Sequence, residues 1–173
     1  MTELDAIDSK LLALLQNDAR TTNRDLAKAL GIAPSTCLER VRSLHRRGMI
    51  VGYHAQVDLA AVGRPLQALI AARVRPPNRA VIASFRAYVE SLPEVLSVFV
   101  VAGSDDFLIH VAVRDTEQLE GLVLDKLTRR EELADVRTSL VYEHVRKTEV
   151  GPLRAEPRAT GPGPVSRTRA AKG

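Results

Sequence analysis

Apolar residues recur along this chain with two different periods, and the change comes near residue 60. In the first part the spacing is helical. Leu4, Ile7, Leu11, Leu14 and Leu15 make one stripe over Leu4–Ala19, with Asp5, Asp8, Lys10 and Gln16 on the outer side. A second helix is predicted from about Asn23 to Leu30. Thr22 stands at its cap, Asp25 at the capping-box position, and Gly31 supplies the left-handed residue that ends it. A third helix starts at Pro34, which fits a first turn, and runs to about Arg47, with Gly48 as its stop. Its faces differ. Cys37, Val41 and Leu44 fall at i, i+4, i+7, whereas Ser35, Glu39, Arg42 and Arg46 point the other way, flanked by Thr36, Leu38 and Ser43. A three-helix bundle is the smallest arrangement that buries all three stripes. Met49–Tyr53 then reads as a short strand, which would make the unit a winged helix-turn-helix.

The second part alternates strands with amphipathic helices. Val57–Pro65 is a linker, with Asp58 capping a brief turn and Gly63-Arg64-Pro65 as its break. Strands are predicted at Leu66–Val74, Val95–Ala102, Phe107–Val113 and Val136–Val145, and helices at Arg79–Leu92 and Thr116 to about Arg130. The order β-α-β-β-α-β is that of a ferredoxin-like split βαβ unit, a four-stranded antiparallel sheet with two helices on one face. The whole chain is thus an α+β protein. Phe107, Ile109, Val111 and Val113 fall on one side of their strand and Leu108 and Ala112 on the other, so the uncovered sheet face is also apolar. Such a face implies a partner, and a second copy related by a twofold axis is the simplest one.

Charge changes the picture locally more than globally. The net charge is +4, but residues 1–62 carry +1, residues 63–150 carry −1 and residues 151–173 carry +4. The folded part is therefore near neutral, and the overall basicity is weak support for binding nucleic acid. The cluster Arg40, Arg42, Arg46 and Arg47 on one helix is better support. Two helices joined by a Gly-containing turn, the second basic on its outer face, describe a DNA-binding helix-turn-helix. An ordinary helical hairpin with a solvated charged face fits the bare pattern too. Residues 151–173 hold four Pro and four Gly and are predicted to be a disordered basic tail, either attracting DNA non-specifically or merely solubilising.

Other chemistry is sparse. A single cysteine excludes an intrachain disulfide and a cysteine-based zinc site, and Cys37 sits on a buried stripe. No metal ligand set, cofactor loop or catalytic constellation is predicted. No signal peptide and no membrane-length apolar run is read in the sequence, so a cytoplasmic location is expected.

The stretches LDAIDSKLLALLQNDART, LAKALGIAPSTCLERVRSLHRRGMIVGY, VAGSDDFLIHV and TSLVYEHV together resemble the Lrp/AsnC, or feast/famine, transcription regulators. The resemblance covers about Leu4 to Lys147. It implies an N-terminal DNA-binding domain and a C-terminal ferredoxin-like (RAM-type) domain that dimerises through its sheet. Dimers of such proteins often assemble to tetramers, octamers or hexadecamers. The resemblance also implies an amino acid or related metabolite as effector, bound in the C-terminal domain between subunits, and maps its turn to Gly103, Ser104, Asp105, Asp106 and Phe107. The turn chemistry is compatible: an amino acid's ammonium suits the Asp106 carboxylate, and its carboxylate suits backbone N–H groups at Gly103. A hairpin turn in which Asp and Gly serve only the turn fits the same residues. Two positions depart from the family pattern. Ala33 stands where many members have a capping Ser, and Ser104 where many have an acid.

The domain reading is residues 1–56 for the helix-turn-helix, 57–65 for the linker, 66–150 for the effector-binding and oligomerisation domain, and 151–173 for the tail. The expected function is sequence-specific regulation of transcription, without enzymatic activity. Base-edge or nearby contacts to double-stranded DNA are assigned to Ser35, Thr36, Leu38, Glu39 and Arg42, and phosphate contacts to Arg46 and Arg47. Arg40, beside the apolar stripe, suits either DNA or an internal ion pair. Two alternatives are a low-specificity DNA-wrapping protein of nucleoid type and an enzyme resembling the sirohaem decarboxylases, which use this fold. The latter needs converging histidines, and His110 and His144 are the two histidines in the second module, placed on separate strands.

Overall fold

The computed structural model describes residues 4–152, and the predicted tail from residue 153 onward lies outside them. The described residues divide into two compact units, one of residues 4–53 with 147–152 and one of residues 54–146.

The first unit is built on α1 (Ala6–Asn17), α2 (Asn23–Leu30) and α3 (Pro34–Arg46). Each start and stop has a local cause. The Asp5 carboxylate accepts from the Asp8 N–H at 2.7 Å and caps α1. Thr22 caps α2, its Oγ1 accepting from the Asp25 N–H and donating to the Asp25 carboxylate at 2.6 Å. Gly31 closes α2 at φ 66°. The stripes meet in one core of Leu11, Leu15, Leu26, Ala27, Cys37, Leu44 and Ile50. One polar residue also goes inside: Asp8, expected on the outer side of α1, is buried at 5% exposure. The expected strand at Met49–Tyr53 is not formed, so the unit is not winged among the described residues. Instead the Met49 N–H bonds back to the Leu44 carbonyl at 2.9 Å, and Tyr53 packs against His45 with ring centroids 5.4 Å apart. The β-branched run lacks a partner strand, and a strand exists only by pairing.

The second unit holds β1 (Leu66–Val74), α4 (Arg79–Glu90), β2 (Val95–Val100), β3 (Phe107–Val113), α5 (Thr116–Gly121, continued as a π-helix over Leu122–Leu127) and β4 (Leu133–Leu140). All strand pairs are antiparallel in the order β2-β3-β1-β4, the ferredoxin-like arrangement. Alternation sorts the side chains. Ala68, Ile70, Ala72 and Val74 of β1 and Phe107, Ile109, Val111 and Val113 of β3 form the core with Phe85 and Val89 of α4 and Leu119, Leu122 and Leu127. Asn78 caps α4 and Asp115 caps α5. The last strand starts three residues before the expected Val136 and stops at Leu140, ahead of the expected Val145. The alternating pattern beyond Leu140 outlasts the pairing: Val141 donates to the Gln67 carbonyl, and the chain then leaves the sheet.

Candidate DNA-binding helix and effector turn

The outer face of α3 is open. Ser35, Thr36, Leu38, Glu39, Arg42 and Arg46 are all exposed, while Cys37 and Leu44 are fully buried beneath them. The helix begins without a side-chain cap at Ala33; instead the Asn23 side-chain amide donates to the Pro34 carbonyl at 2.8 Å, tying the start of α3 to α2. Arg46 and Glu39 pair at 2.6 Å across two turns. The Arg46 hydrogen bond and charge, with a smaller contribution from Arg42, hold the Glu39 carboxyl below its ordinary range. Both partners are well exposed, and an exposed pair of this kind is worth little and exchanges readily for a ligand.

Arg40 and Arg47 point elsewhere. Arg40 reaches Asp5 at 2.6 Å and Asp8 at 2.7 Å, and Arg47 reaches the other Asp8 oxygen at 3.0 Å. The buried carboxylate thus joins α1 to two turns of α3. Of the two readings open for Arg40, the internal ion pair is the one the structure shows. Arg47 shares that partner, which its position in the sequence did not reveal. Asp8 itself was missed, although an acid one turn from a cap, on a helix facing four arginines, was the available signal.

The turn between β2 and β3 has Gly103 at φ 143°, a conformation strained for any side chain. Gly103 and Ser104 are exposed, and Ser104 Oγ donates to Asp105 at 2.9 Å. Both Asp105 oxygens accept from Arg137 of β4 at 2.7 Å. Asp106 is half-buried: its carboxylate accepts from the Val74 N–H at 2.8 Å, and its own N–H bonds to the Ala72 carbonyl. Phe107 is fully buried against Phe85, ring centroids 5.0 Å apart, and is a core residue. Of the five turn residues, Gly103 and Ser104 are exposed, while Asp105, held by Arg137, Asp106, held to β1, and the buried Phe107 anchor the turn.

On the open side of the sheet, Leu69, Leu96, Phe99 and Val141 line a concavity of about 650 Å³ with His110 and His144. His110 bonds Gln67 at 3.0 Å, and its ring meets His144 edge-on at 5.3 Å. The two histidines do converge, but His144 lies beyond β4 and not on a strand. Among the described residues no group of three or more His, Cys, Asp or Glu is placed to hold a metal, and no helix is long and apolar enough to cross a membrane.

Two family models match these two units in order: an AsnC-type helix-turn-helix domain over residues 4–45 and an Lrp/AsnC ligand-binding domain over residues 67–150. The regulator AldR of Mycolicibacterium smegmatis is 45% identical over 144 residues, covering 83% of this chain and 84% of its own length. The chain belongs to the Lrp/AsnC family of transcription regulators. The leucine-responsive regulatory protein of Escherichia coli is 33% identical over 146 residues, covering 84% of this chain and 89% of its own. A Neisseria meningitidis transcriptional regulator solved as a complex with L-Met superposes with a TM-score of 0.80 at 33% identity, covering 87% of this chain and 97% of that one. As a member of the family, this Lrp/AsnC protein is a transcriptional regulator with a helix-turn-helix and a ferredoxin-like ligand-binding domain.

Proposed function

We propose that this regulator binds operator DNA through the exposed face of α3 and responds to an amino acid bound at the β2–β3 turn. The observation that carries the reading is the division of labour on α3: the apolar stripe and two arginines face inward, leaving Ser35, Thr36, Leu38, Glu39, Arg42 and Arg46 open. A major groove admits such a helix. Arg42 reads guanine and Glu39 accepts from cytosine once released from Arg46, which then meets a phosphate. Arg40 and Arg47 hold α3 against α1 and so set its angle.

The effector site comprises Gly103, Ser104 and Asp105, supported from beneath by Asp106 and Phe107. The L-Met complex of the Neisseria regulator supports an amino acid as the class of ligand. The open sheet face supports a homodimer that assembles further to a tetramer or octamer. The reading places the protein in the cytoplasm as a regulator without a catalytic reaction, with residues 1–56 reading DNA, 57–65 linking and 66–150 sensing.

The test is a binding isotherm of the Arg42→Ala variant on a genomic operator fragment and on random duplex at one salt concentration. Operator affinity should fall by roughly 1–3 kcal/mol with little change on random DNA. Equal loss on both would make Arg42 a phosphate contact and favour low-specificity wrapping. The twenty L-amino acids, added singly, should include one that shifts operator affinity or assembly size; no shift with any overturns the effector assignment.

A further inference from the structure

The effector turn is closed by an ion pair that reaches across the sheet. Both Asp105 oxygens accept from Arg137 Nη2 at 2.7 Å, and Ser104 Oγ adds a bond to Asp105 Oδ2 at 2.9 Å. In the order β2-β3-β1-β4, β1 lies between the hairpin that carries Asp105 and the edge strand that carries Arg137. Arg137 stands opposite Ala71 of β1. The pair therefore spans a whole strand. Its two ends are unequal: the Asp105 side chain is 15% exposed and that of Arg137 58%. The carboxylate is held in place, and the guanidinium, on its long stem, is the end able to move.

The neighbouring acids are engaged differently. Asp106 accepts from the Val74 N–H at 2.8 Å, a backbone bond that joins the turn to β1, and Arg75 is 3.8 Å from it. Arg73 and Asp135 also stand 3.8 Å apart. Of these three Arg–Asp pairs, Asp105–Arg137 is the one at hydrogen-bond distance. It sets a condition on any ligand of the turn, because Asp105 can take a new cation only as Arg137 leaves. A lone amine would strand the guanidinium, and a lone carboxylate would strip the mostly buried Asp105 of its counter-charge. A ligand bearing both charges a few ångströms apart turns one ion pair into two and leaves no charge unmatched.

We propose that Arg137 binds the carboxylate of the effector, exchanging its bond to Asp105 for one to the ligand, while Asp105 takes the ammonium. The inference rests on the reading of the β2–β3 turn as the effector site. The exchange makes the site selective for a free α-amino acid over the corresponding amine or desamino acid. The bound amino acid then becomes the bridge between the turn and β4.

Titration calorimetry on the full chain tests this. The twenty L-amino acids are titrated singly, and the tightest binder is compared with its decarboxylated amine and its desamino acid on the parent, Arg137→Ala, Arg137→Lys and Asp105→Asn. The parent should bind the amino acid roughly 30-fold or more tighter than either analogue. Arg137→Ala should weaken the amino acid by roughly 10–100-fold and leave the amine unchanged or tighter, so that the preference between them collapses. Arg137→Lys keeps the charge without the planar fork and should restore part of that preference. A purely structural role for Arg137 would weaken both ligands alike, so an unchanged ratio in Arg137→Ala overturns the proposal. If Asp105→Asn abolishes binding while Arg137→Ala keeps the ratio, Arg137 is overturned and the turn stands as the effector site. If binding survives intact in both variants, or no amino acid binds the parent, the reading of the turn falls as well.

Discussion

Single residues decide how α3 is presented, and Asp8 is the most consequential. Its carboxylate is buried at 5% exposure and takes Arg40 on one oxygen and Arg47 on the other. Removing the charge weakens the buried link from α1 to both arginines, although Arg40 keeps its bond to Asp5. Asp8→Asn should therefore lower stability by about 1.5–3 kcal/mol, the range of hydrogen bonds to charged groups. A urea midpoint checks it. The variant also has one negative charge fewer on the DNA-binding unit, so simple electrostatics predicts tighter DNA binding. Weaker binding by the folded variant would show that Asp8 acts by positioning α3. Asp106 plays a comparable part at the turn, where its carboxylate holds the Val74 N–H and so locks the β2–β3 connection to the end of β1.

Among the elements, β3 shows how a strand serves two faces at once. Phe107, Ile109, Val111 and Val113 fill the core, and His110 faces the open side. Burial first, and the charge of His144 second, hold the His110 imidazole below its ordinary value of 6.5. In the folded protein it therefore takes up its proton at a lower pH than in the unfolded chain. Between the two values the unfolded chain binds more protons, so stability rises with pH across that window. Acidification through about pH 6.5 and below should lower the melting temperature, and the loss should level off beneath the folded value. His110→Asn should flatten that dependence. Melting curves across this range check it, and an unchanged slope in the variant would assign the acid sensitivity to other groups.

For the whole molecule, the open sheet face is the surface on which the proposed homodimer is tested. Phe99 is 54% exposed, Leu69 40% and Leu96 38%, around the His110–His144 pair. An exposed apolar cluster of this kind is a candidate contact for a second copy of the chain. Phe99→Asp should shift the protein toward monomer in sedimentation velocity, because a carboxylate sealed in an apolar contact costs several kcal/mol. Retention of the parent's assembly size would place the subunit contact on another surface. Monomerisation should also weaken operator binding, since two recognition helices on one duplex gain from being linked.

The helices were legible because their information is local. Thr22, Gly31, Asp58 and Asp115 act on neighbours two to four residues away, and the apolar stripes name the buried faces without knowing what covers them. The ferredoxin-like order follows from the same patterning plus the rule that strands must pair. Pairing itself was not local. It left Met49–Tyr53 outside any sheet, moved β4 to Leu133–Leu140 and carried His144 off the strand. The candidate sites divide in the same way. Helical periodicity found the exposed set from Ser35 to Arg46, but the partners of the remaining arginines lie more than thirty residues away on α1. Arg137 and Val74, which occupy the carboxylates of the turn, are equally remote. Sequence alone determined which residues are charged, which face is apolar and where each helix starts. Only the tertiary structure decided which charges are consumed inside the fold and which remain open to a ligand, because ion pairing depends on distance in space and not along the chain.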